Sequence, residues 1–278
     1  MDPSYTVLAI VLITTMLTTC VIVLLLTRKH TTTPRITSSS MPTASNFRLI
    51  FSDEFDGTEL DTSKWQCELW NPGTVNNELE QYIASSVSIS DGCLVITGQG
   101  NGQGTYTSGR VTTKGLSSFS IAQGPVRILF KALMSQVPGS WCAAWLLGTD
   151  DSTWPACGEL DIVETAPSTA CFGPGISKAT AHSHAQPNGP SSGISVDLTQ
   201  WHVWQMDWSD SAITCSVDQK QYFNYMNDQT GYNSFPFAFN EYNFIFNLAI
   251  GGTCGGSVIA SPFNAVMKVD YLRVYQVQ

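Results

Sequence analysis

Three carboxylates fall within the run Gly158-Glu159-Leu160-Asp161-Ile162-Val163-Glu164, which is otherwise apolar and strand-like. Side chains on a strand alternate between its faces, so Glu159 and Asp161 share one face and Glu164, at an odd offset, falls on the other. A β-bulge at Ile162 or Val163 adds the one residue that returns Glu164 to the shared face, and such bulges gather beside active sites. The two glutamates then stand about four strand steps apart, roughly 13 Å between Cα atoms. Side chains leaning inward bring the carboxyl groups toward the ~5–5.5 Å that breaking a glycosidic bond with retention requires. The competing reading of the run by itself is a charged edge strand with chance spacing.

The elements that must hold these acids read as strands. Val87–Ile89, Cys93–Thr97, Val126–Leu133, Ala143–Leu147, Leu160–Glu164, Val203–Trp208, Ile213–Val217, Phe244–Leu248 and Met267–Gln276 are short apolar or alternating runs separated by Gly, Pro, Asn and Asp turns. With no long amphipathic helix after residue 48, this spacing indicates an all-β sandwich or barrel. Charged residues make up only 13% of the 278-residue chain and aromatics 11%, with eight Trp and 22 Gly, a profile suited to a sandwich with an aromatic-lined cleft. A net charge of −9 argues against a nucleic-acid partner, because phosphate binding needs clustered Lys and Arg. There is no Gly-rich phosphate loop, zinc-type Cys/His spacing, heptad pattern or internal repeat.

The segment Trp154-Pro155-Ala156-Cys157-Gly158 leading into the three acids resembles the active-site strand of glycoside hydrolase family 16, in its laminarinase branch of endo-β-1,3-glucanases. Further blocks resemble the family in the same order: Phe51 to Gly57, Asn76 to Tyr82, Tyr106 to Arg110, Gly139 to Gly148, Asn247 to Gly252 and Val269 to Gln276. The resemblance spans about residues 49–278 and implies a β-jelly roll of two stacked antiparallel sheets with a concave substrate cleft. It implies Glu159 as nucleophile, Glu164 as acid/base and Asp161 as the carboxyl that hydrogen-bonds and tunes Glu159. Carboxyls this close raise at least one pKa among them. It further implies substrate contacts from Asn77, Glu80, Arg110, Trp141, Trp154, His182 and Asn247, with His184 competing for the role of His182. Trp141 and Trp154 suit the cleft better than Trp145, and Trp65, Trp201, Trp204 and Trp208 read as core. No cofactor is implied for catalysis. A structural Ca²⁺ on the convex side would use Glu54, Gly92 and Asp270, hard oxygen donors of the kind that ion takes. Two departures bear on specificity: Trp141-Cys142-Ala143-Ala144-Trp145 stands where relatives often have Trp-Pro-Ala-Phe-Trp, and Thr253-Cys254-Gly255-Gly256 where they often carry a tryptophan. The expected substrate is a laminarin-like β-1,3-glucan. Mixed-linkage 1,3-1,4-glucan or a galactan is the rival substrate, and a non-catalytic glucan-binding protein is the rival class, disfavoured because both glutamates are present.

The N-terminus divides from this domain by composition. Residues 1–6 form a short tail, and Val7 to Thr27 is an uncharged apolar run of 21 residues. That is long enough to span a ~30 Å hydrocarbon core. It lacks a basic start and an Ala-x-Ala cleavage site, so it reads as an uncleaved transmembrane anchor rather than a signal peptide. Residues 28–47 read as a Ser/Thr/Pro-rich linker, and 48–278 as the catalytic domain. Basic residues follow the apolar run, which by the positive-inside rule places the domain in the cytoplasm, whereas a polysaccharide substrate and a stalk place it outside or in a lumen. Beyond Cys20 in the apolar run, seven cysteines remain, an odd count that leaves at least one thiol free.

Overall fold

The computed structural model describes residues 46–150 and 152–277. The readings for residues 1–6, the 7–27 anchor and nearly all of the 28–47 linker lie outside them. Among the described residues no helix is long and apolar enough to cross a membrane.

In chain order the strands are β1 (Phe47–Asp53), β2 (Gln66–Cys67), β3 (Glu80–Tyr82), β4 (Val87–Ser90), β5 (Cys93–Gly100), β6 (Tyr106–Ser108), β7 (Arg110–Thr112), β8 (Val126–Leu133), β9 (Ser140–Gly148), β10 (Glu159–Thr165), β11 (Ile176–His182), β12 (Ser191–Ser195), β13 (His202–Trp208), β14 (Ala212–Val217), β15 (Lys220–Met226), β16 (Tyr242–Ile250) and β17 (Asn264–Val277); the single turn of helix α1 is Gly252–Gly255. They form two sheets. One has ten strands, in the order β15-β14-β13-β8-β17-β5-β6-β3, with β1 on β17 and β4 on β5; the other has seven, in the order β12-β11-β10-β9-β16-β7-β2. The pairing is antiparallel as expected, except that β3 runs parallel to β6. The two-sheet sandwich of the sequence reading is therefore correct with that one exception.

Alternation explains how the sheets close on each other. Strand β8 buries Val126, Ile128, Phe130 and Ala132 and leaves the residues between them half-exposed. Phe130 stacks on Trp204 with centroids 5.7 Å apart and meets Phe244 and Phe246 edge-on from the opposite sheet. Trp65, Trp204 and Trp208 are fully buried, as expected. Trp201 is not: 38% of it is exposed, and its ring faces the Lys131 ammonium on the surface of the ten-stranded sheet.

The seven-stranded sheet carries the three acids, and the bulge is present. Against β9, Asp161 pairs with Trp145 but Val163 with Ala144, and against β11, Asp161 pairs with Thr180 but Glu164 with Lys178. The extra residue buries Ile162 and Val163 in succession and leaves Glu159 and Glu164 both half-exposed on the outer face. A bulge leaves a ladder group without its strand partner. Here the carbonyl of Ile162 accepts a hydrogen bond from the buried Tyr222 hydroxyl, which comes from β15 of the other sheet. Gly158, at φ +83°, turns the chain into β10; a Cβ there would lie 2.4 Å from the Tyr242 hydroxyl, so only glycine fits.

Candidate active site

The register assembles the site in rows across the strands. Glu159 lies opposite His182 on β11, Asp161 opposite Thr180 on β11 and Trp145 on β9, and Glu164 opposite Lys178 on β11 and Ala143 on β9. The Glu164 row continues to Asn247 on β16 and Arg110 on β7.

Each glutamate has one oxygen held by an indole. Trp154 Nε1 donates to Glu159 Oε2 at 3.1 Å, and Trp141 Nε1 donates to Glu164 Oε1 at 3.0 Å. The second oxygen of each is left for chemistry. About 18% of the Glu159 side chain is open to solvent, enough for a substrate to reach it. His182 Nδ1 lies 2.7 Å from the Pro187 carbonyl, which can only accept, so that nitrogen carries hydrogen. His182 Nε2 lies 3.0 Å from Asp161 Oδ2 and 3.6 Å from Glu159 Oε1. It therefore accepts from a protonated Asp161 or, as imidazolium, donates to its carboxylate. The atoms of Glu159, Asp161 and His182 lie within 4.8 Å of one another, and these hydrogen bonds account for their closeness.

Burial is the main force on the acids' titration. It raises Glu164 to about 8, reinforced by the charge of Asp161 and opposed by the Trp141 hydrogen bond. Glu159 is raised by burial and then by Asp161, with the His182 charge opposing. Asp161 is raised by burial, with Lys178 opposing. Each of the three acids thus holds its proton well above the ordinary carboxylate range. This is the condition a general acid needs at neutral pH, with nearby cations favouring ionisation of one partner.

The other expected contacts divide. Trp154 is 53% exposed beside Glu159, and His182 rather than the exposed His184 faces the acids. Trp145, the less favoured cleft candidate, shares the outer face with Asp161 and donates Nε1 to Asn247 Oδ1 at 2.8 Å. Asn247 is buried and donates on to the Tyr82 hydroxyl, which donates to Glu78. Arg110 is buried, bonded to Glu68 and sandwiched between Trp70 and Trp145 at 4.2 and 4.8 Å. Glu68 and Trp70 were not singled out in the sequence; their distance from the acid run hides that they converge on Arg110. Asn77 is exposed on a left-handed turn, away from any hydrogen bond to the acids among the described residues. Glu80 corrects the expectation of a sugar contact: it is 1% exposed and accepts the Ile250 amide at 2.7 Å beneath the surface.

The residues named for calcium are otherwise engaged. Arg273 grips both oxygens of Glu54 at 2.9 and 2.6 Å, and Lys131 holds Asp270 at 2.6 Å. Gly92 turns at φ +67° beside Asp56. Glu54 and Asp56 line an acidic cavity of about 320 Å³ near β1, away from the catalytic acids. Two ion-paired carboxylates are not the open cage of six to eight oxygens that Ca²⁺ takes.

Comparison with known proteins agrees with the geometry. A family profile described as "Glycosyl hydrolases family 16" matches residues 85–253. "Glucan endo-1,3-beta-glucosidase A1" of Niallia circulans is 34% identical over 85% of this chain and 39% of its own length. "Beta-glucanase" of Rhodothermus marinus is 30% identical over 84% of this chain and 86% of its own. The chain therefore spans well under half of the first relative and most of the second. The crystal structure of a laminarinase from Flavobacterium sp. UMI-01 superposes with a TM-score of 0.74 at 29% identity, over 82% of this chain and all of that one. A mutant of SCLam, described as a non-specific endo-beta-1,3(4)-glucanase and presenting a 1,3-beta-D-cellobiosyl-glucose at its active site, superposes at 0.75 with 29% identity, over 85% of this chain and 97% of that one.

Proposed function

The chain belongs to glycosyl hydrolases family 16, and on that premise we propose that it is an endo-acting glycoside hydrolase that cleaves β-1,3-glucan with retention. The observation that carries the reading is the bulge of β10, which sets Glu159 and Glu164 on one face with an indole N–H fixing one oxygen of each. The free oxygen of Glu159 attacks the anomeric carbon while Glu164 gives its proton to the leaving oxygen. The resulting glycosyl-enzyme is opened by water, from which Glu164, now a carboxylate, takes the proton. Asp161 hydrogen-bonds His182 rather than Glu159, and its charge beside the nucleophile raises the pKa of Glu159. The printed activities of the relatives, on 1,3- and 1,3(4)-glucans, support β-1,3-glucan as substrate and keep mixed-linkage glucan as the second choice. Reducing-sugar release from laminarin, mixed-linkage β-glucan and agarose should be greatest on laminarin. E164Q should lose about 10²–10⁴-fold in rate, the share of a general acid, and E159Q should fall to background. Proton NMR of early product should show the β-anomer first. An α-anomer, or E159Q with near wild-type turnover, would end this reading.

The catalytic domain works outside the cytoplasm, held at the membrane by the apolar run Val7 to Thr27. The Cys171–Cys254 disulfide supports that side, because such bridges persist in oxidising compartments. Alkaline carbonate extraction should leave the full chain in the membrane pellet; release into the supernatant with a new N-terminus near Thr31 would replace the anchor with a cleaved signal.

A further inference from the structure

Strand β11 puts one residue opposite each catalytic acid, and two of the three pairings are unremarkable. His182 faces Glu159 and is engaged with the acids, and Thr180 faces Asp161. The third is Lys178 opposite Glu164. Directly opposed residues of opposite charge on one sheet face have Cβ atoms about 4.5–5.5 Å apart and normally attract each other. Here they form no ion pair among the described residues. The Lys178 ammonium stands instead over the Phe172 ring, 5.3 Å from its centroid. Gly193, the partner of Lys178 on β12, brings no side chain to compete.

Phe172 sits on a tethered backbone. Its neighbour Cys171 is bridged to Cys254 in α1, the turn that follows β16. Across 83 residues of sequence the bridge ties the loop after β10 to the end of β16. We propose that Lys178 is a positioning residue for the acid/base: Phe172, anchored by the Cys171–Cys254 bridge, holds the ammonium off Glu164 so that this carboxyl keeps its proton until substrate arrives. The proposal rests on the acid/base role of Glu164 given above.

The charges facing Glu164 make the distance matter. Asp161 and Glu159 share its strand, His182 and Lys178 come from β11, Arg110 lies further along the sheet on β7, and the Trp141 N–H comes from β9. The two acids oppose ionisation of Glu164, while His182 and Lys178 favour it, Lys178 from directly across the strands but outside ion-pair contact. Released into ion-pair contact, the ammonium lowers the carboxyl's pKa further, by about 1–3 units. Glu164 would then be ionised at neutral pH, and the leaving oxygen would lose its proton donor.

The test is the pH dependence of kcat/KM on a soluble β-1,3-glucan, whose basic limb reports the acid in the free enzyme. F172L keeps apolar bulk but removes the ring, and C171S/C254S removes the anchor. Each should move the basic limb down by about one pH unit. F172L/K178M should bring it back to the position of K178M alone, because the shift requires the ammonium. Two routes of release mean that if one variant fails to fold, the other decides. An unmoved limb in the folded release variants would overturn the proposal, as would an equal shift in F172L and F172L/K178M. Failure of the acid/base assignment would appear differently, as activity retained in E164Q.

Discussion

Glu80 shows how a single carboxyl under the site governs behaviour toward pH. Its Oε2 accepts the Ile250 amide, and its Oε1 meets no hydrogen-bond donor within the described residues. Burial first, and the neighbouring Glu78 charge second, raise it to about 8. At neutral pH it therefore carries a proton. The folded pKa lies above the unfolded value of 4.5, so its stabilising contribution is complete below about 4.5 and is lost as pH rises through about 8. The three catalytic acids are shifted the same way and add to the same slope. The melting temperature should therefore fall between pH 5 and 8.5. E80Q should flatten that fall, because an amide has no proton to lose; thermal unfolding at the two pH values measures the difference. A fall equally steep in E80Q would show that Glu80 is not its source. None of this was visible in the sequence, where Glu80 reads as one polar residue among Asn76 to Tyr82 and as a sugar contact; its burial follows from the parallel pairing of β3 with β6.

At the scale of elements, the bulge of β10 was legible and its support was not. Period-two alternation forbids Glu159, Asp161 and Glu164 a common face, and an inserted residue is the simplest repair. Nothing local to the run, however, reveals that Tyr222, sixty residues on, closes the bulge through the Ile162 carbonyl. Y222F leaves that buried carbonyl without its partner and should cost about 1–3 kcal/mol of stability. Because the bulge aims Glu164, kcat should drop more than KM rises. Urea titration and steady-state kinetics on the same sample separate the two effects, and a loss of stability with unchanged kcat would make Tyr222 a structural residue only. Strand β11 escaped the sequence reading for a related reason. Ile176-Ser177-Lys178-Ala179-Thr180-Ala181-His182 buries mostly small side chains, so the large apolar residues that mark a strand are missing. The pairing of Cys171 with Cys254 was equally hidden, since seven cysteines allow many connectivities and only the fold brings these two together.

For the molecule as a whole, composition fixed the class, while the sheets decided which aromatics are core. Phe130 joins the two layers through Trp204, Phe244 and Phe246, whereas Trp201, alike in composition, lies on the outer surface. Net charge has a kinetic consequence. The chain carries −9, yet the proposed substrate is uncharged, so no long-range attraction or repulsion steers the encounter. Raising NaCl from about 50 to 500 mM, where screening lengths shrink severalfold, should change kcat/KM on laminarin by less than about twofold; a steep salt dependence would point instead to an anionic glycan. The rows of the seven-stranded sheet carry one more consequence. Neighbouring strands lie about 4.8 Å apart, close to the length of one pyranose unit. A glucan laid along the row from Lys178 through Glu164, Ala143 and Asn247 to Arg110 would meet a new strand with nearly every sugar. Strand count would then act as a ruler: the shortest oligosaccharide cut at full rate, and the ladder of product lengths, would be set by how many strands flank β10 on each side.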